Sequence, residues 1–191
     1  MQEWVKQLQN KDPEAYRKLY DRFARPMYSV CLRLTGHADD AHDVLQESFI
    51  RIFEKIGQLR QAELLPAWVK RVCVNTSLQY MKERKNLRFE GLEGKPGMFN
   101  VQEESDVLNH ADQEQLLDQI HDCIRLLPDR YRVVFTLHVL EEYSHEDIAK
   151  ELGIVAGTSR SQYLRAKQKL IELIQKKQNY GGPSERLYTK V

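Results

Sequence analysis

Apolar side chains along this chain recur three and four positions apart, which gathers them on one face of an α-helix. Alternation of the kind a half-buried strand needs never lasts more than a few residues. Asp12 followed by Pro13 reads as an N-cap with a proline at the first helical position. From there Tyr16, Leu19, Tyr20, Phe23, Met27, Val30, Cys31 and Leu34 form an apolar stripe that Gly36 ends, and Pro26 is expected to kink or interrupt it. A second helix is predicted from about Ala38 to Ile56. Its first turn is acidic (Asp39, Asp40, Asp43), which suits the positive end of a helix dipole. Val44, Leu45, Ser48, Phe49, Ile52, Phe53 and Ile56 make its continuous stripe. After a loop from Gly57 to Pro66, a third helix begins near Ala67 and carries Trp68, Val69, Val72, Cys73, Thr76, Leu78, Tyr80 and Met81 toward a basic end.

Past residue 88 the character changes. Residues 89–118 hold eight Asp or Glu against one Lys, Lys95, and Gly91, Gly94, Pro96 and Gly97 break any early pattern. Residues 89–112 are read as a flexible acidic linker. Short helices follow. One runs from about Gln113 to Leu127. Pro128 opens another with Tyr131, Val134, Phe135 and Leu137. Ser144 starts a third, with Asp147 three residues on, close to a capping box, and Gly153 ends it. A fourth runs from Gly157 or Thr158 to about Lys177. The tail, 179–191, has little to bury and is expected to be mobile. The predicted fold is therefore all-α, with two small helical domains (1–88 and 113–178) joined by the linker.

Composition narrows the class only a little. The 191 residues are 41% apolar and 30% charged, ordinary for a globular chain, and the net charge of +1 is uninformative until its distribution is considered. Three widely spaced cysteines with no CxxC argue against a disulfide framework and fit a reducing compartment. The N-terminus lacks the apolar core of a signal peptide, and no stretch approaches the roughly 20 apolar residues of a membrane span. A cytoplasmic location is expected. No cofactor or metal is expected.

The distribution of charge points to nucleic acid. Ser144 to Lys169 reads as a capped helix, a tight turn at Gly153 and a second helix, with Ile154 able to plug the angle between them and Ala149 small at the crossing. That is the shape of a helix-turn-helix. On the second helix Tyr163, Ala166, Leu170, Leu173 and Ile174 share an apolar face. Arg160, Ser161, Leu164, Arg165 and Gln168 lie opposite. Arg can grip guanine O6 and N7, and Leu can touch a thymine methyl. Lys167, Lys169, Lys176 and Lys177 suit phosphates. The third helix carries Lys70, Arg71, Lys82, Arg84, Lys85 and Arg88 among Trp68, Asn75, Thr76, Gln79 and Tyr80, a mixture suited to an unpaired strand.

Two other readings compete. Glu142 and His145 make an ExxH, but a di-iron bundle needs two such motifs and two further glutamates. His121 and Cys123 lie on opposite sides of a helix and are poor joint ligands. The second domain alone does not exclude a conventional helix-turn-helix repressor or activator, but a repressor needs a ligand pocket or a dimer face, whereas residues 39–56 offer a docking stripe.

Three stretches, taken in order, resemble an extracytoplasmic-function (group 4) RNA polymerase sigma factor of the sigma-70 family. DDAHDVLQESFIRIFEKI (39–56) is similar to regions 2.1–2.2. AWVKRVCVNTSLQYMKERK (67–85) is similar to regions 2.3–2.4. Residues 126–170 are similar to region 4. The resemblance spans about residues 11–178, and it implies roles. Asp43, Gln46, Glu47 and Ile50 would dock on the β′ clamp helices of core RNA polymerase, with the β flap as a further contact. Lys70, Arg71 and Asn75 would touch the promoter −10 element, and the loop Leu59 to Leu65 would capture a flipped base. Arg160, Ser161, Leu164 and Arg165 would read the −35 element. The linker would thread toward the polymerase active-site channel, and an anti-sigma factor often holds family members. The sequence departs from the family at Gln79, where an Asp is common, at Ser159, where a branched apolar residue is common, and at Gln162, where a basic one is.

Overall fold

The computed structural model describes residues 1–83 and 119–180, with side chains to residue 177. The acidic linker and the tail beyond Tyr180 lie outside the described residues; Asn179 and Tyr180, expected in the tail, are the last residues of the final helix. Every regular element among the described residues is helical. In chain order these are α1 (Gln2–Gln9), α2 (Pro13–Thr35), α3 (Ala38–Lys55), α4 (Leu65–Glu83), α5 (119–125), α6 (Asp129–Phe135), α7 (His145–Leu152) and α8 (Ala156–Tyr180).

The local signals act as their chemistry requires. The Asp12 carboxylate accepts the amides of Glu14 (2.8 Å) and Ala15 (3.3 Å) at the start of α2. Gly36 closes α2 in the left-handed conformation, φ +80°. Pro26, in contrast, does not interrupt α2, which runs unbroken through it. The carbonyl that a residue-26 amide would have met belongs to Arg22. Both residues face solvent, where water can serve as the partner. The loop before α4 is also shorter than expected. Two 3₁₀ turns, Ile56–Gln58 and Ala62–Leu64, fill it, and α4 begins at Leu65 because Pro66 fits a first helical turn.

Helices α1–α4 pack as one bundle. Leu19, Leu34, Ala41, Ile52, Leu65, Val69 and Met81 are wholly buried at its centre, each large aliphatic side chain contributing about 1.5–3 kcal/mol by leaving water. Helix α1, for which no helix was predicted, seals one end with Val5 and Leu8 and an indole bond from Trp4 to the Ala15 carbonyl (3.4 Å). Buried Ser48, Thr76 and Ser77 each donate to the carbonyl one turn back, so these hydroxyls sit in the core without an unmet bond. All three cysteines are buried thiols. Cys31 and Cys73 meet across α2 and α4. Their contact lowers the Cys31 pKa and, with burial, raises that of Cys73.

The second unit has its own small core of Ile124, Leu127, Phe135 and Ala166. After α6 the chain widens into a π turn, Thr136–Leu140. Ser144 then caps α7 through the Asp147 amide (3.0 Å), and Gly153 ends it at φ +72°, as the sequence predicts. The two units touch. Val133, Val134, Leu137, Ile148 and Leu152 join the buried cluster of the first bundle. At the seam lies Arg132, 2% exposed, which donates to the carbonyls of Thr35 (2.9 Å), Leu127 (3.0 Å) and Leu34 (3.4 Å) and pairs with Asp129 (2.6 Å). Leu34 and Thr35 end α2, so this cation satisfies carbonyls that the helix leaves orphaned. A Cβ on Gly36 would lie 2.6 Å from the Arg132 Cζ, so glycine is needed there for space as well as for φ.

Candidate nucleic-acid interface

The N-terminal turns of α8 are set by α7. The His145 Nδ1 meets the buried Ser159 Oγ at 2.9 Å, and its ring stacks on His138 at 4.1 Å. His138 in turn bonds the Tyr143 carbonyl (2.9 Å) and meets Tyr163 edge-on at 4.8 Å. Ser159, a departure from the family pattern, is thus the hydroxyl end of a polar seam that fixes how α8 crosses α7. Burial and the neighbouring His138 hold the His145 pKa below its usual value. With that seam inside, Arg160 and Leu164 (47% exposed) face outward, and Ser161 and Arg165 are partly buried beside them. Arg160 pairs with Glu146 on α7, and Ser161 Oγ donates to the Thr158 carbonyl (2.9 Å). Lys167 lies over the Tyr163 ring at 5.8 Å.

The three residues expected on the α4 reading face have different surroundings. Arg71 and Asn75 are exposed. Lys70 is held by Glu141 of the second unit at 2.8 Å, and the same carboxylate takes Arg33 at 2.7 Å. Further along α4, Lys82 donates to the Glu151 carbonyl of α7 (2.6 Å). Tyr143, half-buried between Arg71 and Glu151, has its pKa raised chiefly by burial. One end of the second unit therefore lies over this face.

The four residues expected to dock on polymerase come together. Asp43, Gln46, Glu47 and Ile50 are all exposed and line a groove of about 510 Å³ between α3 and α4. Its far wall, Thr76, Gln79, Tyr80 and Glu83, was not predicted to take part. Gln79 accepts from Arg51 (2.6 Å) and donates to Glu83 (2.8 Å), and Arg51 also pairs with Glu47 (2.8 Å), so a polar chain ties the two walls. Three carboxylates and an apolar residue 53% exposed suit a basic, partly apolar helix. In the loop 59–65, Leu59 is buried, its carbonyl taking the Gln9 amide (3.0 Å), while Leu64 stands 52% exposed.

The ExxH pair is not arranged as a ligand pair. Glu142 is exposed at φ +61°, and His145 is engaged with Ser159 and His138. Among the described residues no group of three or more His, Cys, Asp or Glu could hold a metal, and no helix is long and apolar enough to cross a membrane.

Comparison with known proteins decides among the readings. The family model described as Sigma-70 region 2 matches residues 19–86, and that described as Sigma-70, region 4 matches residues 117–170. The chain is 26% identical over 172 residues to the ECF RNA polymerase sigma factor SigW of Bacillus subtilis, covering 87% of this chain and 92% of that protein. It is 27% identical over 177 residues to the ECF RNA polymerase sigma-E factor of Haemophilus influenzae, covering 90% and 93%. The chain belongs to the extracytoplasmic-function group of the sigma-70 family. The fold of this sigma factor is similar to that of the sigma factor RpoE, solved with the anti-sigma factor NepR from Bartonella quintana. The TM-score is 0.51 at 18% identity, over 84% of this chain and 96% of that one. The repressor alternative gives way here, because residues 19–86 match region 2. Sequence reasoning missed Glu141, Glu146 and the α4 wall of the groove. Glu141 and Glu146 act on Lys70 and Arg160 from the second unit, and the α4 wall closes the groove opposite Asp43, Gln46, Glu47 and Ile50.

Proposed function

We propose that this sigma factor uses its two units for separate tasks within one initiation complex. The groove between α3 and α4 takes a helix of core RNA polymerase through Asp43, Gln46, Glu47 and Ile50. Lys70, Arg71 and Asn75 of α4 contact the −10 element, with the exposed Leu64 loop at the flipped base. Arg160, Ser161, Leu164 and Arg165 of α8 read the −35 element, Arg160 held in position by Glu146. The protein acts in the cytoplasm, where polymerase is, without catalysis of its own. A regulator that holds it away from polymerase is the further partner that its sigma factor relatives suggest.

The observation that carries this reading is the pairing of two surfaces of opposite character. An acidic and apolar groove lies between α3 and α4 and a basic helix at α8, in the two segments that match regions 2 and 4. Co-purification with core polymerase subunits tests it. The wild-type chain is expected to retain the core enzyme. Asp43→Arg reverses the charge of an exposed groove residue and is expected to lose retention at least tenfold with an unchanged melting curve. Unfolding of that variant would instead mark Asp43 as structural.

A further inference from the structure

The first turns of α8 are not anchored by apolar packing alone. Ser159 is wholly buried and stands immediately before Arg160 and Ser161, so its position fixes the direction in which both project. Its hydroxyl meets the His145 Nδ1 at 2.9 Å, across from the first turn of α7. The His145 ring stacks on His138 at 4.1 Å, and both rings approach Tyr163 of α8, His138 at 4.8 Å and His145 at 5.7 Å. His138 is itself fixed. The Tyr143 carbonyl can only accept, so the His138 Nδ1 donates to it at 2.9 Å. A chain of contacts thus runs from the π turn through α7 to the residue beside the proposed −35 contacts.

The surroundings of His145 oppose a proton on it. From the π turn it faces His138, from α8 the Arg160 guanidinium and the Tyr163 phenol, and from its own helix Glu146. The neighbouring α4 meets α7 further along, at the Glu151 carbonyl, through Lys82. His145 also opens α7, where the helix dipole is positive. Of these groups Glu146 favours the imidazolium, but that carboxylate is already paired with Arg160. Burial, His138 and Arg160 hold the His145 pKa below its usual value. The docked arrangement therefore repels the proton. It is complete above about pH 6.5, the ordinary histidine value, and is lost as pH falls from there through the folded value.

We propose that His145 and Ser159 are a positioning pair for the reading turn of α8, and that the pair holds only while His145 is neutral, so that −35 recognition by this chain weakens in acid. The consequence rests on the reading of α8 as the −35 helix, but the pair itself does not. A general electrostatic effect has the opposite sign, since added protons strengthen the attraction to phosphates. The pair therefore predicts a loss where charge alone predicts a gain, and it confines the loss to base-specific contact.

The test measures binding of the holoenzyme, core polymerase with the full chain, to a rhodamine-labelled promoter duplex from the source genome and to the same duplex with its −35 element replaced. The ratio of the two affinities isolates −35 recognition from everything else that acid changes. In wild type the ratio is expected to fall at least threefold from about pH 7.5 to about pH 5.5. His145→Gln keeps a neutral hydrogen-bonding group that cannot titrate, and its ratio is expected to stay level over that range. His121→Gln removes an exposed histidine outside the cluster and is expected to follow wild type. Ser159→Ala is expected to lower the ratio at least threefold at the higher pH with binding to the replaced duplex unchanged, which general loosening of the fold would not give. If Ser159→Ala melts too low to assay, the level profile of His145→Gln carries the test. A level ratio in wild type, an equal fall in His145→Gln, or an unchanged ratio in Ser159→Ala overturns the proposal. Amide exchange over residues 158–164, corrected for the intrinsic rate at each pH, separates this from failure of the −35 reading. If α8 does not read the −35 element, Arg160→Ala leaves the ratio unchanged, yet exchange still speeds in acid in wild type and not in His145→Gln.

Discussion

Helices α4 and α8 carry the basic residues proposed to meet DNA, and the structure treats them differently. The outward residues of α8 are matched locally, Arg160 by Glu146 from the adjoining helix of the same motif. Lys70 of α4 is matched at long range, by Glu141 from the other unit. A local pair orients an arginine without hiding it, and an exposed pair of this kind contributes little stability. A long-range pair with a buried carboxylate couples the exposure of the lysine to the arrangement of the whole chain. Similar basic helices thus come under different control.

Arg132 offers the strongest means of breaking that comparison. Arg132→Met keeps much of the buried stem but strands Asp129 and the carbonyls of Leu34, Thr35 and Leu127. A loss of about 3–5 kcal/mol is expected, read from urea unfolding monitored by circular dichroism. A change below about 1 kcal/mol would mean that the seam is not built into the native state. On the α8 side, Arg160→Ala is expected to weaken promoter use by about 1–3 kcal/mol at one base position, measured by transcription from a set of single-base promoter variants. A uniform loss over all variants would make Arg160 a phosphate contact.

The smallest effect concerns the polar seam beneath α8. His145 has a lowered pKa in the folded protein, so the unfolded chain binds its proton more readily. Its contribution to stability is therefore complete above the unfolded value of about 6.5 and is lost as pH falls from there through the folded value. The melting temperature of wild type should accordingly fall more than that of His145→Gln between about pH 7 and pH 5. Parallel curves would show that the His138–His145 stack carries no such linkage.

Much of this architecture is legible in the sequence because its signals are local. Asp12, Gly36, Ser144 and Gly153 mark helix ends by chemistry that reaches four residues at most, and each does so here. The stripe of Val44, Leu45, Phe49 and Ile52 predicts the buried side of α3 and leaves Asp43, Gln46, Glu47 and Ile50 outside by subtraction. Pro26 misleads because the penalty for a missing amide depends on whether the abandoned carbonyl can find water, which periodicity does not reveal. Helix α1 is too short for a convincing pattern and exists because the bundle needs an end sealed. The seam is the least legible part, since Arg132 meets Thr35 97 residues away and Glu141 meets Arg33 108 residues away. The one hint is composition: Arg132 interrupts the apolar run from Tyr131 to Phe135, and a charge in that place must find partners somewhere in the fold.

Run-off transcription with purified core polymerase and the full chain, on templates carrying promoters from the source genome, tests the assignment most directly. Discrete transcripts that begin at defined positions are expected from core plus chain and not from core alone. Tight binding of the chain to the same templates, with core polymerase no more active than before, would contradict it.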